Sequence, residues 1–171
     1  MREVTDLQES VNPRHLRNAL GRFATGVVVI TTRAPSGKLE GLTANSFAAV
    51  SLDPPLILWS LRREAPSIKS FLDAGAFAVN VLAGEQSHLS DHFSKRHADK
   101  FDGITYSIGL AGCPVLQDPL AVFECHTQST TSGGDHIIFM GRVQRVTYRE
   151  GSPLIFSGGN YGTHARLSPA S

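Results

Sequence analysis

The sequence predicts a mainly β fold, an antiparallel barrel with peripheral helices. Three observations carry this expectation. From Val27 onward, β-branched and apolar runs follow one another with turn residues between them. Two of the runs, Leu120–Thr131 and His136–Tyr148, are long and joined by Ser132-Gly133-Gly134-Asp135, which has hairpin chemistry. Short helical segments interrupt six or seven strands without the βαβ rhythm of a parallel sheet.

Residues 1–11 are polar and are expected to form a flexible N-terminal arm. Asn12 suits an N-cap and Pro13 the first helical position. Leu16, Ala19, Leu20 and Phe23 then repeat at helical spacing, a stripe expected to face the core until Gly26 closes the segment. Val27–Thr32 reads as a strand, Ala34-Pro35-Ser36-Gly37 as a turn, and Leu39–Thr43 as the returning strand. Phe47–Leu52 is a third strand, stopped by Asp53-Pro54-Pro55, and Leu56–Leu61 a compact fourth. Pro66–Asp73 reads as a helix with Ile68, Phe71 and Leu72 on one side and Gly75 as its stop. Ala76–Leu82 is a buried strand and Glu85–Phe93 a short helix, followed by a mixed loop to about Gly112. After the long hairpin come Leu154–Phe156 and a Gly-rich segment, Ser157–Gly162. No repeat or linker divides the chain, so one domain is expected over 12–165, with a tail over 166–171.

Composition narrows the function. With 171 residues, 41% hydrophobic and 18% charged, the chain can bury an ordinary core. Sixteen Lys and Arg against fifteen Asp and Glu give a net charge of +1, which offers nucleic acid no concentrated basic surface. Apolar runs such as Val27–Ile30 fall far short of the ~20 residues that cross a bilayer. The start, MREVTDLQES, lacks the apolar core of a secretory signal, and two cysteines are too few for a stapled extracellular scaffold. A cytoplasmic protein is expected.

Several kinds of chemistry are missing. There is no phosphate-binding G-x-x-x-x-G-K-[ST] loop, no G-x-G-x-x-G and no G-x-S-x-G elbow. His88 and His92, with Asp91 between and His97 beyond, read as a polar helix face, because no H-E-x-x-H or cysteine cluster completes a metal site. Cys125 alternates with strand hydrophobes and reads as a small core residue. Cys113, before Pro114, is expected to be the more exposed, with no adjacent base to make it nucleophilic.

Three segments remain as site candidates. Thr43-Ala44-Asn45-Ser46, at a strand end, offers small donors and acceptors to a flat ring rich in heteroatoms. Ser60-Leu61-Arg62-Arg63, with Ser67 beyond, combines hydroxyls and guanidinium groups that suit a phosphate. Gly133-Gly134-Asp135-His136 places a histidine just inside a strand, where it can point across a barrel mouth.

Taken in order, the chain resembles the short-chain flavin reductase family, the reductase components of two-component flavin-dependent monooxygenases. The likeness rests on Leu20-Gly21-Arg22-Phe23-Ala24-Thr25-Gly26-Val27, on Thr43-Ala44-Asn45-Ser46-Phe47 running into Val50-Ser51-Leu52-Asp53-Pro54-Pro55-Leu56, and on Phe77-Ala78-Val79-Asn80-Val81-Leu82. Lys100-Phe101 and Gly134-Asp135-His136, followed by Gly141 and Val143, complete it. The resemblance implies a split β-barrel, FMN-binding-like and antiparallel, in a homodimer with flavin near the subunit interface. It implies reduction of FMN or FAD by NADH or NADPH, with reduced flavin passed to a separate oxygenase. By position, Thr43, Ala44, Asn45 and Ser46 would contact the flavin ring. Ser60, Leu61, Arg62, Arg63 and Ser67 would hold its phosphate, and Phe101 would border it. His136 and Tyr161 would lie on the nicotinamide side, His136 orienting the donor without being an obligate base. A flavin carrier or storage module that does not turn over NAD(P)H is the alternative.

Overall fold

The computed structural model describes residues 12–164; the arm expected over 1–11 and the tail over 166–171 lie outside them. Helix α1 spans Pro13–Leu20, and its cap is the expected one. The Asn12 side chain accepts hydrogen bonds from the Arg14 N–H at 2.9 Å and the His15 N–H at 3.3 Å. These satisfy donors that a helix start leaves open.

Two expectations about this segment fail. The helix stops at Leu20 with Gly21 as its C-cap, and Gly26 belongs instead to strand β1, Thr25–Gly26. The apolar stripe does not face the core, because Leu16, Leu20 and Phe23 are 47%, 65% and 76% exposed. The barrel is filled from within by its own strands and the second helix, which leaves α1 on the outside.

Strand β2 (Val28–Arg33) returns through the Ala34–Gly37 turn into β3 (Leu39–Ala44). Strands β4 (Ala48–Leu52) and β5 (Pro55–Arg62) follow, then α2 (Ile68–Ala74), ended by Gly75 at φ 67°, and β6 (Ala76–Val81). Of the expected α2 face, Phe71 is buried but Leu72 is 45% exposed, since this short helix turns Phe71 and Ile68 to the barrel core and leaves Leu72 to the side. A short 3₁₀ turn at Gly84–Gln86 leads into α3 (Ser87–Ser94). The stretch expected to be loop contains a two-stranded ribbon, β7 (Tyr106–Ile108) with β8 (Pro114–Leu116). The long hairpin is β9 (Ala121–Gly133) and β10 (His136–Tyr148), with Gly133 opposite His136 across a two-residue turn. The Gly-rich tail is itself a hairpin, β11 (Ile155–Ser157) and β12 (Asn160–Gly162), turning through Gly158 and Gly159 at φ 58° and 87°.

Among the described residues every ladder is antiparallel. The main sheet has seven strands in the order β3-β2-β6-β9-β10-β5-β4. Its two edges, β3 and β4, are consecutive in the chain, so residues 45–47 bridge a sheet that curls on itself without closing. That is a split barrel.

Trp59 lies inside, stacked on Phe139 at 4.5 Å and meeting Phe71 and Phe77 edge-on. Successive side chains from Val27 into β2 alternate between two cores. Val28 and Ile30 join this barrel interior, while Val27 and Val29 join an outer cluster with Phe93, Phe101 and Leu154. The run Val27–Ile30 is apolar throughout because both its faces are covered.

Candidate functional site

The site is built where the chain leaving the open edge strand β3 passes through residues 45–47 and meets β5. Ser46 makes the join: its hydroxyl accepts the Ser60 N–H at 3.0 Å and donates to the Ser60 carbonyl at 3.2 Å. One side chain thus sets the ends of β3 and β5 side by side. A cavity of about 690 Å³ opens over them. Its lining includes Leu42–Ser46, Ser60–Arg62, Glu64–Ser67, Phe93–His97, Lys38, Glu40, Lys100 and His136.

Thr43, Ala44, Asn45, Ser46, Ser60, Leu61, Arg62, Ser67 and His136 therefore converge, although they come from three separate sequence segments. The hydroxyls of Thr43 and Ser46 are committed to the protein, Thr43 donating to the Ser90 carbonyl at 2.6 Å. The carboxamide of Asn45 has no protein partner among the described residues and remains exposed. Ser67 precedes α2 without capping it, so its hydroxyl is open to the cavity.

Two expected residues stand behind the walls. Arg63 donates from Nε to the Gly134 carbonyl at 3.0 Å, fastening the β5 end to the β9–β10 turn, and does not line the cavity. Phe101 is buried, packed edge-on against Phe93 at 5.3 Å, and supports that lining residue from the rear. Tyr161 lines a second, smaller cavity of about 230 Å³, together with Val27, Thr43–Asn45, Ser90, Ser94 and Phe156. Thr43–Asn45 and Ser94 form the shared wall of the two cavities.

Charge favours an anion in the larger cavity, whose lining carries five Lys and Arg against two Glu. Glu40 is paired with Lys38 at 2.7 Å. Burial pushes Lys100 below its ordinary value, with Glu40 opposing, and its ammonium donates to the Phe93 carbonyl at 2.8 Å. The basic run Ser94-Lys95-Arg96-His97 was visible in the sequence as charge, but nothing local tied it to strand ends fifty residues earlier.

His136 opens β10 opposite Arg62, with Nδ1 at 2.7 Å from the Asp135 carboxylate. That hydrogen bond holds the Asp135 carboxyl below its ordinary range, with a smaller contribution from Arg62. His92 donates from Nε2 to the Lys100 carbonyl at 2.8 Å and stacks on His97 at 4.5 Å, so its ring fastens a loop. Cys113, expected to be the more exposed thiol, is 2% exposed because it packs in a small cluster with Ala76, Ala78 and Val122. Burial raises both thiols, Cys125 to about 12, which removes them as nucleophiles.

A cavity of this volume falls within the roughly 300–1,000 Å³ of small-molecule sites. It joins a flat polar strand end to an Arg, Lys and Ser perimeter, the donor set that a ring bearing a phosphate chain requires. A flavin mononucleotide or the equivalent part of a dinucleotide fits these residues.

Comparison with known proteins points the same way. Residues 20–165 match the family described as flavin reductase like domain. An FMN reductase (NADH) of Agrobacterium fabrum is 45% identical over 91% of this chain and 88% of its own length. A reductase subunit of a flavin-dependent monooxygenase from Rhodococcus jostii is 41% identical over 90% of this chain and 78% of its own. Some longer relatives are matched over 50% of their length. In three dimensions the fold is similar to an NADH:FAD oxidoreductase of Streptomyces globisporus, with a TM-score of 0.87, 33% identity and 100% of both chains covered.

Proposed function

The chain belongs to the flavin reductase like domain family, and from that membership we propose how its two cavities divide the work of NADH-dependent flavin reduction. The larger cavity takes the flavin, FMN or FAD, and the smaller one takes part of the nicotinamide donor. When bound, the flavin supplies the ring that accepts hydride. The protein supplies orientation, the exclusion of water from one face and fixed dipoles at the ring edge.

Asn45 presents its exposed carboxamide at the wall common to both cavities, and with the backbone of Thr43–Ser46 it meets the ring edge. Ser60, Arg62 and Ser67 hold the phosphate, with Leu61 packed beneath. Arg63 and Phe101 act from behind, Arg63 through the turn that carries His136. His136, steered by Asp135, orients the donor at the rim of the larger cavity, and Tyr161 does so in the smaller one. Residues 12–165 form the unit that carries this activity.

The observation that carries the reading is the shared wall of Thr43–Asn45 with Ser94, which sets a basic cavity and a neutral one against the same four residues. Two compartments on one polar strand end suit two nucleotides that must meet. Reduced flavin passes to a separate oxygenase, a role supported by relatives named as the reductase subunit or component of a flavin-dependent monooxygenase. Among the described residues no helix is long and apolar enough to cross a membrane, and we assign the protein to the cytoplasm, where NADH is regenerated.

A homodimer completes the proposal. Leu16, Leu20, Phe23, Leu52 and Tyr148 are exposed apolar residues, Leu52 at 95%, and apolar exposure of this kind marks an association surface.

The test is a spectrophotometric assay that crosses NADH and NADPH with FMN, FAD and riboflavin. Turnover of NADH that depends on added flavin supports the reductase. Bound flavin that NADH cannot bleach supports the carrier instead.

A further inference from the structure

We propose that Ser90 and Asp91 are positioning residues that act through Tyr161 to fix the wall of the smaller cavity, and thereby the affinity for the nicotinamide donor. The inference rests on the assignment of that cavity made above and extends it to residues on another element.

Tyr161 sits in the middle of β12, whose only neighbour in the sheet among the described residues is β11. The β11–β12 hairpin is attached to the body through the two-residue strand β1 and a Gly158 N–H bond to the Gly21 carbonyl at 2.8 Å. Such a hairpin has little of its own to hold it against α3. The phenol of Tyr161 reaches across and supplies the link. Its hydroxyl donates to the Asp91 carboxylate at 3.1 Å and lies 2.7 Å from the Ser90 hydroxyl. A phenol has one proton, and Asp91 receives it, so Ser90 is the donor in the second bond. The chain Ser90→Tyr161→Asp91 is directional and uses each group once.

Ser90 also has a second tie. It is 0% exposed, and its carbonyl accepts the Thr43 hydroxyl at 2.6 Å. One residue of α3 therefore grips the wall common to both cavities through its backbone and the outer wall of the smaller cavity through its side chain. The Tyr161 ring packs on Phe156 of its own hairpin at 5.7 Å, and its hydroxyl supplies the side-chain hydrogen bonds that tie it to α3. Loss of either bond frees the ring to turn away while the larger cavity keeps its own residues.

Steady-state kinetics of the full chain, with a flavin titration run in parallel, tests this. Ser90→Ala and Tyr161→Phe should each raise KM for NADH by about 3- to 10-fold, the worth of one intramolecular hydrogen bond. The kcat and the flavin Kd should stay within about 2-fold, and the double variant should be no worse than the worse single one, because both remove the same contact. Asp91→Asn keeps an acceptor oxygen and should stay near the parent, whereas Asp91→Ala should follow Tyr161→Phe. An unchanged KM in Tyr161→Phe overturns the inference, as do additive effects or a loss of flavin affinity with KM intact. Should Ser90→Ala fail to fold, the Tyr161 and Asp91 variants decide alone. A parent protein that oxidises no NADH with any flavin takes down the functional reading and this inference together. Parent turnover with a KM indifferent to Tyr161→Phe takes down the inference only.

Discussion

His136 is the residue whose role geometry narrows most. It stands at the start of a strand, is held by Asp135 at 2.7 Å, and has Arg62 opposite. Nothing in hydride transfer needs it to carry a proton, so in the proposed reading orientation is what its removal takes away. His136→Ala should raise KM for NADH several-fold and leave the flavin Kd nearly unchanged, and unchanged NADH kinetics reject the role. The buried thiols give a second prediction at this scale. Burial raises Cys125 to about 12, so at pH 8 the folded protein should react with neither thiol reagent nor alkylator, while guanidinium exposes two reactive groups. The same shift has a sign in stability. The unfolded thiol ionises near its ordinary value of 9.0, so the stability tied to the neutral form is whole below that pH and is lost as pH rises toward 12. Denaturation at pH 8 and pH 10 should show this loss in the parent and less of it in Cys125→Ala.

Strand β3 shows how an element makes a cavity. Gly41 faces α3, and a Cβ there would lie 2.6 Å from Cε1 of Phe93, a fully buried ring that also lines the larger cavity. The absent side chain lets helix and strand approach closely enough to form that wall. Gly41→Ala should destabilise the fold by about 1–3 kcal/mol, as overpacking does, and weaken flavin binding besides; a melting temperature equal to the parent's contradicts this. The strands themselves were readable in advance, because alternation and β-branching in segments such as β2 and β9 report burial directly. The polar strand end and the Asp135-His136 turn were readable for the same reason: their residue types are unusual for their places. What the sequence could not convey was pairing at a distance. Ser90 and Tyr161 are 71 residues apart and each looks ordinary locally. The α1 stripe misled for a related reason, since periodicity announces an apolar face but not what will cover it.

At the scale of the whole molecule, the α1 face and Leu52 on edge strand β4, both exposed among the described residues, are the surface on which the proposed second copy would sit. An edge strand left bare is a liability that proteins manage by covering it. Leu52→Asp with Phe23→Asp should shift the mass seen by light scattering from two chains to one, and a parent that is monomeric at micromolar concentration sinks the dimer. The larger claim is that the end of edge strand β3, fastened to β5 through Ser46, presents a polar strand end inside a basic cavity of flavin size. Titration of the purified chain with oxidised FMN and FAD, followed by flavin fluorescence, tests that most directly. The account predicts saturable quenching by at least one of them, weakened about 10-fold or more when Arg62 and Asn45 are both replaced by Ala. Quenching that never saturates, or that is indifferent to those two replacements, contradicts it.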